Sequence, residues 1–99
     1  MKVWFTARAR RRALHVASWW RANRPAAPDL FEQELHEAKQ ALGAHPLLGT
    51  VYKTVGAWVI RRVLLRESEQ HVYYSVNESA ETVVVHTLWG ARRGRGPKL

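Results

Sequence analysis

A cluster of arginines and glycines closes the chain and is the part of the sequence best suited to chemistry. It follows Val83 to Leu88, a run of mostly β-branched and apolar residues that is typical of a buried strand. Glycine lets a partner approach the backbone closely, and the planar guanidinium of arginine matches phosphate and carboxylate groups. We therefore expect a phosphate-rich or acidic ligand at the aromatic and basic residues of this end, which are Trp89, Arg92, Arg93, Arg95 and Lys98.

The net charge favours the same kind of partner. Sixteen Lys and Arg against eight Asp and Glu give +8 at pH 7, an excess that suits polyanions or an acidic protein. The first 24 residues carry seven of these basic residues and no acidic one, whereas residues 29–37 are acidic. Two interpretations of the arginine run at 8–12 remain open: it forms a binding surface, or it is a solvated helix face.

Other kinds of chemistry have little support. The five histidines are scattered without the close pairing of zinc ligands, and the chain has no cysteine. No glycine-rich turn leads into a helix, as a nucleotide loop requires. The acidic residues of the strand region all fall in turns, so no carboxylate pair is placed for acid–base work. We predict no metal site and no cofactor.

Size and hydropathy indicate one small domain. Ninety-nine residues suffice for a single core, so we expect one domain over residues 1–99. The N-terminus lacks the apolar core of a signal peptide, and no stretch approaches the ~18 apolar residues of a membrane span. These features predict a soluble cytoplasmic protein.

Two amphipathic helices are predicted in the first half of the chain. Thr6 can cap a helix over about residues 7–23, whose apolar residues recur on one stripe. The prolines between Arg24 and Pro28 end it, and a second helix follows over about residues 28–42, with Gly43 as its stop. The short connection predicts an antiparallel helical hairpin.

After Gly56 the apolar period changes from that of a helix to that of a strand. Strands are predicted at 57–66, 71–76 and 82–89, and the short polar turns between them allow only antiparallel neighbours. Residues 2–5 can add an edge strand. The predicted fold is α+β, an N-terminal helical hairpin packed on an antiparallel sheet that consists of a three-stranded C-terminal meander and this edge strand.

Short motifs along nearly the whole chain add a family resemblance. They are Phe5–Ala9, Trp20–Pro28, Ala41–Gly49, Ile60–Leu65, His71–Val76 and Leu88–Pro97. In order and spacing they resemble the ParE/RelE superfamily of bacterial toxins from type II toxin–antitoxin systems. The resemblance implies a RelE/ParE-like fold and a toxin, of the kind used in plasmid stabilization, that causes growth arrest when free and is neutralised by a cognate antitoxin.

The resemblance also implies two competing mechanisms. RelE-like members cut messenger RNA on the ribosome with basic residues and a late tyrosine or histidine on the open face of the sheet. ParE-like members lack that set and are associated with poisoning DNA gyrase. This chain is closer to ParE because no tyrosine or histidine follows Trp89. We therefore expect a non-enzymatic toxin that acts on gyrase through Trp89, Arg92, Arg93 and Arg95.

Two alternatives remain. The first is a RelE-like mRNA endonuclease, in which His86 or Tyr73 would move the proton. At most one of Arg61 and Arg62 can face the open side of the sheet, and the sequence does not say which. The second is a nucleic-acid-binding module without toxicity, supported by the charge and the aromatic content. The full set of nuclease candidates is Lys53, Arg61, Arg62, Tyr73, His86 and Arg92.

An antitoxin would cover apolar and basic surface of this chain in a hetero-oligomer. Two modes suit it, an acidic amphipathic helix laid in a groove or a strand added to an open edge. The candidate contacts are Trp19, Trp58 and Arg62. For Trp19, which lies beside the apolar stripe of the first helix, packing against the core edge is the competing interpretation.

Overall fold

The computed structural model describes residues 1–99 as two helices packed on one face of a five-stranded mixed sheet. In chain order the elements are β1 Lys2–Phe5, α1 Ala7–Asn23, α2 Leu30–Ala44, β2 Thr50–Val55, β3 Trp58–Leu65, β4 Gln70–Asn77 and β5 Thr82–Gly90. The strands lie in the order β1-β5-β4-β3-β2. The α+β class and the helical layer on a sheet are thus confirmed.

The sheet is mixed because β1 runs parallel to its neighbour. It pairs with the first half of β5, from Lys2 opposite Thr82 to Phe5 opposite Val85. The rest of the chain lies between the two strands and supplies the long crossover that a parallel pair needs. All other pairs are antiparallel. The expected edge strand is present, and the expectation of a purely antiparallel sheet was wrong.

The strand β2 is the element that the sequence prediction missed. Gly56 does not begin the strand region; it lies in the two-residue turn between β2 and β3 with φ of +59°, a left-handed conformation that favours glycine. Most side chains of β2 are exposed, so the apolar alternation that signals a strand is absent. The sheet therefore has five strands instead of the predicted four.

Both predicted helices form, but α2 begins and ends two residues later than expected. The predicted stop, Gly43, lies inside α2, where its carbonyl oxygen accepts a 2.8 Å hydrogen bond from the Met1 amino group. A Cβ at Gly43 would lie 2.9 Å from the Met1 carbonyl oxygen. This glycine therefore admits the N-terminus and does not end the helix.

The core fills the space between the helices and the sheet. Tyr74 is fully buried there, and its hydroxyl accepts a 2.8 Å hydrogen bond from the Gly49 amide. Burial raises the pKa of the Tyr74 hydroxyl, so the group stays protonated. The remaining large core side chains are Val16, Phe31, Leu42, Leu65, Val72, Val83, Val85 and Leu88.

Two β-bulges shape the opposite side of the sheet, which carries no helix and which we call the open face. His86 is the extra residue of β5, between the pairs that β5 makes with Tyr73 and Tyr74. Tyr52 is the extra residue of β2. A bulge bends its strand and changes the direction of a side chain. Both bulged residues contact the open-face side chains of β4, His86 at Ser75 and Tyr52 at Tyr73.

Candidate functional site

The last nine residues cross the open face; we call residues 91–99 the C-terminal segment. At its beginning, the segment is held by the indole Nε1 of Trp89, which donates a 2.7 Å hydrogen bond to the Arg95 carbonyl oxygen. Gly96 lies against Tyr52, since an added Cβ would lie 2.1 Å from the Tyr52 hydroxyl oxygen. The Arg8 guanidinium then donates to the Lys98 carbonyl oxygen. The chain thus covers its own sheet.

Tyr73, a candidate for proton transfer, is 1% exposed and lies against Tyr52, the residue on which Gly96 packs. Its ring meets that of Tyr52 edge-on, with 4.9 Å between centroids. Its hydroxyl accepts a 3.3 Å hydrogen bond from Arg62, whose guanidinium lies 4.9 Å from the Tyr52 ring centroid. The hydroxyl is therefore paired within the protein and shielded from a substrate.

The two neighbouring arginines of β3 face opposite sides of the sheet. Arg62 lies opposite Tyr73 on the open face, and Arg61 lies opposite Tyr74 on the helix-bearing face. There the Arg61 guanidinium donates a 2.8 Å hydrogen bond to the Gly49 carbonyl oxygen. Arg62 is therefore the one of the two that faces the open side, and Arg61 lies apart from the other nuclease candidates. Lys53, opposite Ile60, shares the open face with Arg62.

His86, the other proton-transfer candidate, is half-buried at the far end of the open face. Its Nε2 lies 2.7 Å from Ser75 Oγ. Burial, with a smaller contribution from the Arg8 charge, lowers the pKa of His86 and favours the neutral ring at pH 7. The ring lines a cleft of about 370 Å³ together with Trp58 and Leu99. The end of the C-terminal segment thus reaches this cleft.

The predicted target-binding residues stand at the other end of the segment and are mostly exposed. The Arg93 guanidinium lies 4.1 Å from the ring centroid of Trp89. Arg92 pairs with Glu69 at 2.7 Å, and Arg95 forms no ion pair. Arg92 is thus held on the turn between β3 and β4, away from the open face, and does not join Tyr73 and the other nuclease candidates.

A second cleft, of about 660 Å³, opens between α1 and the turn that joins β3 to β4. We call it the arginine cleft because four arginines line it. Its lining residues include Arg12, Arg24, Arg92, Arg93, Trp19, Trp20, Ser68 and Gln70. The sequence pattern did not predict Arg12, Ser68 and Gln70 as site residues. No local signal could have found them, because Arg12 comes from a helix and the other two from a turn and strand far along the chain.

The three candidate antitoxin contacts lie in different places. Trp19 lines the arginine cleft, where Arg24 lies 5.2 Å from its ring centroid. Trp58 lines the cleft beside His86. Arg62 lies on the open face beside Tyr52. Trp19 and Trp58 are both partly exposed, as a contact with another protein requires.

Comparison with models of known protein families gives no match to this chain, and comparison with curated proteins gives none either. No three His, Asp or Glu side chains come together in an arrangement that could hold a metal ion. Neither helix combines the length and apolar character needed to cross a bilayer. The geometry of the open face and of the arginine cleft therefore carries the functional interpretation.

Proposed function

We propose that this protein is the toxin component of a type II toxin–antitoxin system, that it arrests growth in the ParE-like manner through DNA gyrase, and that a cognate antitoxin neutralises it. The sequence motifs support the family, and the order of the helical hairpin and the strands is compatible with it. The charge of +8 suits a target that contains DNA or an acidic protein surface.

The observation that carries the ParE-like mechanism is the path of the C-terminal segment. It packs on Tyr52, which lies against Tyr73, and Tyr73 is 1% exposed with its hydroxyl already paired with Arg62. A nuclease needs an accessible acid or base beside its phosphate. The same segment leaves Arg93 and Arg95 exposed at its other end. An exposed basic and aromatic surface favours action by contact, since tryptophan and arginine often dominate binding energy at interfaces.

Gyrase supercoiling with the purified protein tests this mechanism. We expect inhibition by the wild-type protein and at least tenfold weaker inhibition by the double variant R93Q/R95Q. The matched control is R11Q/R66Q, which removes two exposed arginines outside the C-terminal segment. Equal loss in both double variants would mean that only total charge matters, and unaffected supercoiling by the wild type would refute the gyrase target.

An antitoxin suits the exposed apolar surface along β2, β3 and the loop before β2. Large side chains there are about half exposed, and patches of this kind mark protein contacts. They are Leu47, Leu48, Val51 and Val59, and the strand register places Val51 and Val59 on the helix-bearing side with Arg61. An acidic amphipathic partner would cover these residues and neutralise nearby basic charge. Co-expression with the product of the neighbouring reading frame should give a complex that survives purification; a free protein that is equally soluble and harmless would refute it.

One observation favours the RelE-like endonuclease as a second candidate. Lys53, Arg62, Tyr73 and His86 share the open face, so displacement of the C-terminal segment would expose them together. Primer extension on messenger RNA after induction distinguishes the two mechanisms. The ParE-like mechanism predicts no new cuts, whereas ribosome-dependent cuts within codons, with supercoiling untouched, would establish the nuclease.

A further inference from the structure

The arginine cleft contains all the buried side-chain polar atoms of this protein that lack a hydrogen-bond partner. They are Arg12 Nε, Ser68 Oγ and Gln70 Oε1, and all three residues line the cleft. Ser68 is only 7% exposed. Buried polar groups are nearly always paired, because an unpaired one loses its hydration without replacement. Each of these atoms has almost no exposed surface, so it gains a partner only when its side chain turns towards a ligand in the cleft.

The charged side chains of the cleft favour an anionic ligand. Arg12 and Arg93 both lie against the Trp89 ring, at 5.8 and 4.1 Å from its centroid, and neither forms an ion pair. Burial and the nearby Arg93 charge lower the pKa of Arg12. Glu67 and Glu69 also line the cleft, but Arg92 already pairs with Glu69. An anion between the two guanidinium groups would relieve their repulsion, and a phosphate matches their planar donors.

The other lining groups favour a ligand that contains an aromatic ring with hydrogen-bonding groups along its edge. Trp19 is 45% exposed and, with Trp20, gives the cleft an aromatic wall. Tryptophan faces stack on nucleic-acid bases. Once it turns towards the cleft, the amide of Gln70 offers an acceptor beside two donors, which matches the paired donor and acceptor on the edge of a base. This match holds for either assignment of the amide oxygen and nitrogen.

We propose that the arginine cleft binds a nucleoside phosphate. Arg12 and Arg93 hold the phosphate, Trp19 stacks on the base, and Gln70 recognises the base edge. The same chemistry belongs to a free nucleotide and to the phosphorylated end of a nucleic-acid strand. An acidic peptide would also satisfy the arginines, but it supplies no base for the aromatic wall. This binding does not depend on whether the protein arrests growth.

Isothermal titration of the full-length protein with AMP, adenosine and inorganic phosphate tests the proposal. We expect saturable binding of AMP that is at least tenfold tighter than binding of adenosine or phosphate, since AMP alone engages both parts of the cleft. A single-stranded oligonucleotide with a 5′-phosphate distinguishes the two sources. If the oligonucleotide binds more tightly than AMP, the natural ligand is the end of a strand. If it binds equally or more weakly, the natural ligand is a free nucleotide.

Two variants and one matched control assign the binding to the cleft. Arg12→Gln should weaken AMP binding about tenfold or more, and Gln70→Leu should reduce AMP affinity towards that of phosphate. Arg11→Gln removes the same charge from the neighbouring exposed residue and should keep AMP affinity within twofold. Circular dichroism checks that each variant is folded. The proposal is overturned by an absence of saturable AMP binding, by equal losses in the Arg11 and Arg12 variants, or by Arg12-dependent binding of a polyglutamate peptide without binding of AMP.

Discussion

The open face and the arginine cleft are both basic and aromatic, yet their polar groups differ in one respect. On the open face the protein supplies its own partners: Tyr73 accepts from Arg62, and His86 pairs with Ser75. In the arginine cleft, Arg12 and Gln70 are left with buried atoms that have no partner. Residue types alone would not separate the two regions.

The difference shows which region is part of the fold and which is free to bind. A buried polar network whose members are all paired adds rigidity to a structure. An unpaired buried polar atom is unfavourable, and its side chain recovers a partner when it turns towards a ligand. We therefore interpret the open face as a second, smaller core beneath the C-terminal segment, and the arginine cleft as the surface available to a partner.

Replacing Tyr73 by alanine should give the largest effect on stability. The ring is as buried as a core side chain, so its removal should lower the free energy of unfolding by about 3–5 kcal/mol. Trp19→Ala in the arginine cleft removes a larger but half-exposed ring and should cost about 1 kcal/mol. Urea denaturation measures both. Similar losses would contradict the distinction between a covered and an open region.

A side chain at Gly96 should detach the C-terminal segment. Valine there would collide with Tyr52, and we expect a loss of about 1–3 kcal/mol, together with faster proteolysis after Arg95. Gly94→Ala is the control, because an added Cβ at Gly94 meets no atom within 4 Å. If the Gly96 variant is as stable and as protease-resistant as the control, the segment does not pack on the sheet as described.

Acid should destabilise the protein through the histidines of the open face. Burial lowers the pKa values of His86 and His71 below the ordinary 6.5, with smaller contributions from Arg8 and Arg62 respectively. The unfolded chain therefore binds more protons in this range, so stability falls as the pH drops below about 6.5 towards the lowered values, by at most ~1.4 kcal/mol per pH unit and group. His86→Gln should reduce this slope in denaturation series at several pH values; an unchanged slope would show that His86 does not contribute.

Removing the Arg12 charge should give the smallest effect, and one of opposite sign. The guanidinium is partly buried without a carboxylate, so Arg12→Gln should leave stability unchanged or raise it by up to about 1 kcal/mol. Arg11→Gln should stay within about 0.5 kcal/mol of the wild type. Thermal denaturation of both variants checks this. A clear loss confined to the Arg12 variant would mean that the guanidinium supports the fold and is not held ready for a ligand.

Local sequence signals predicted the parts of the fold that local interactions determine. The predicted bounds of α1, about residues 7–23, are confirmed, because Thr6 accepts a hydrogen bond from the Ala9 amide at its start and an apolar stripe defines its face. Strand β2 was missed because its stability comes from pairing with β3 and its side chains are mostly exposed. The β-propensity of the residues and their hydrophobic period do not show that one strand will pair with another.

The candidate sites were harder to predict because their contacts are distant in sequence. The glycines after Trp89 were interpreted as positions for close approach of a ligand, but the group that approaches Gly96 is Tyr52 of the same chain. Arg12 was interpreted only as one member of a charged run. Its importance depends on its position beside Trp89 and Arg93, which the packing of α1 against β5 brings together.

Growth arrest after induction of two variants tests the central claim most directly. Tyr73→Phe removes only a hydroxyl that is already paired with Arg62, whereas R93Q/R95Q removes exposed charge from the C-terminal segment. If the protein acts by contact, the Tyr73 variant should arrest growth as fully as the wild type at equal expression, and the double variant should lose most of its toxicity. Abolished toxicity in Tyr73→Phe with full toxicity in R93Q/R95Q would contradict this account and indicate catalysis on the open face.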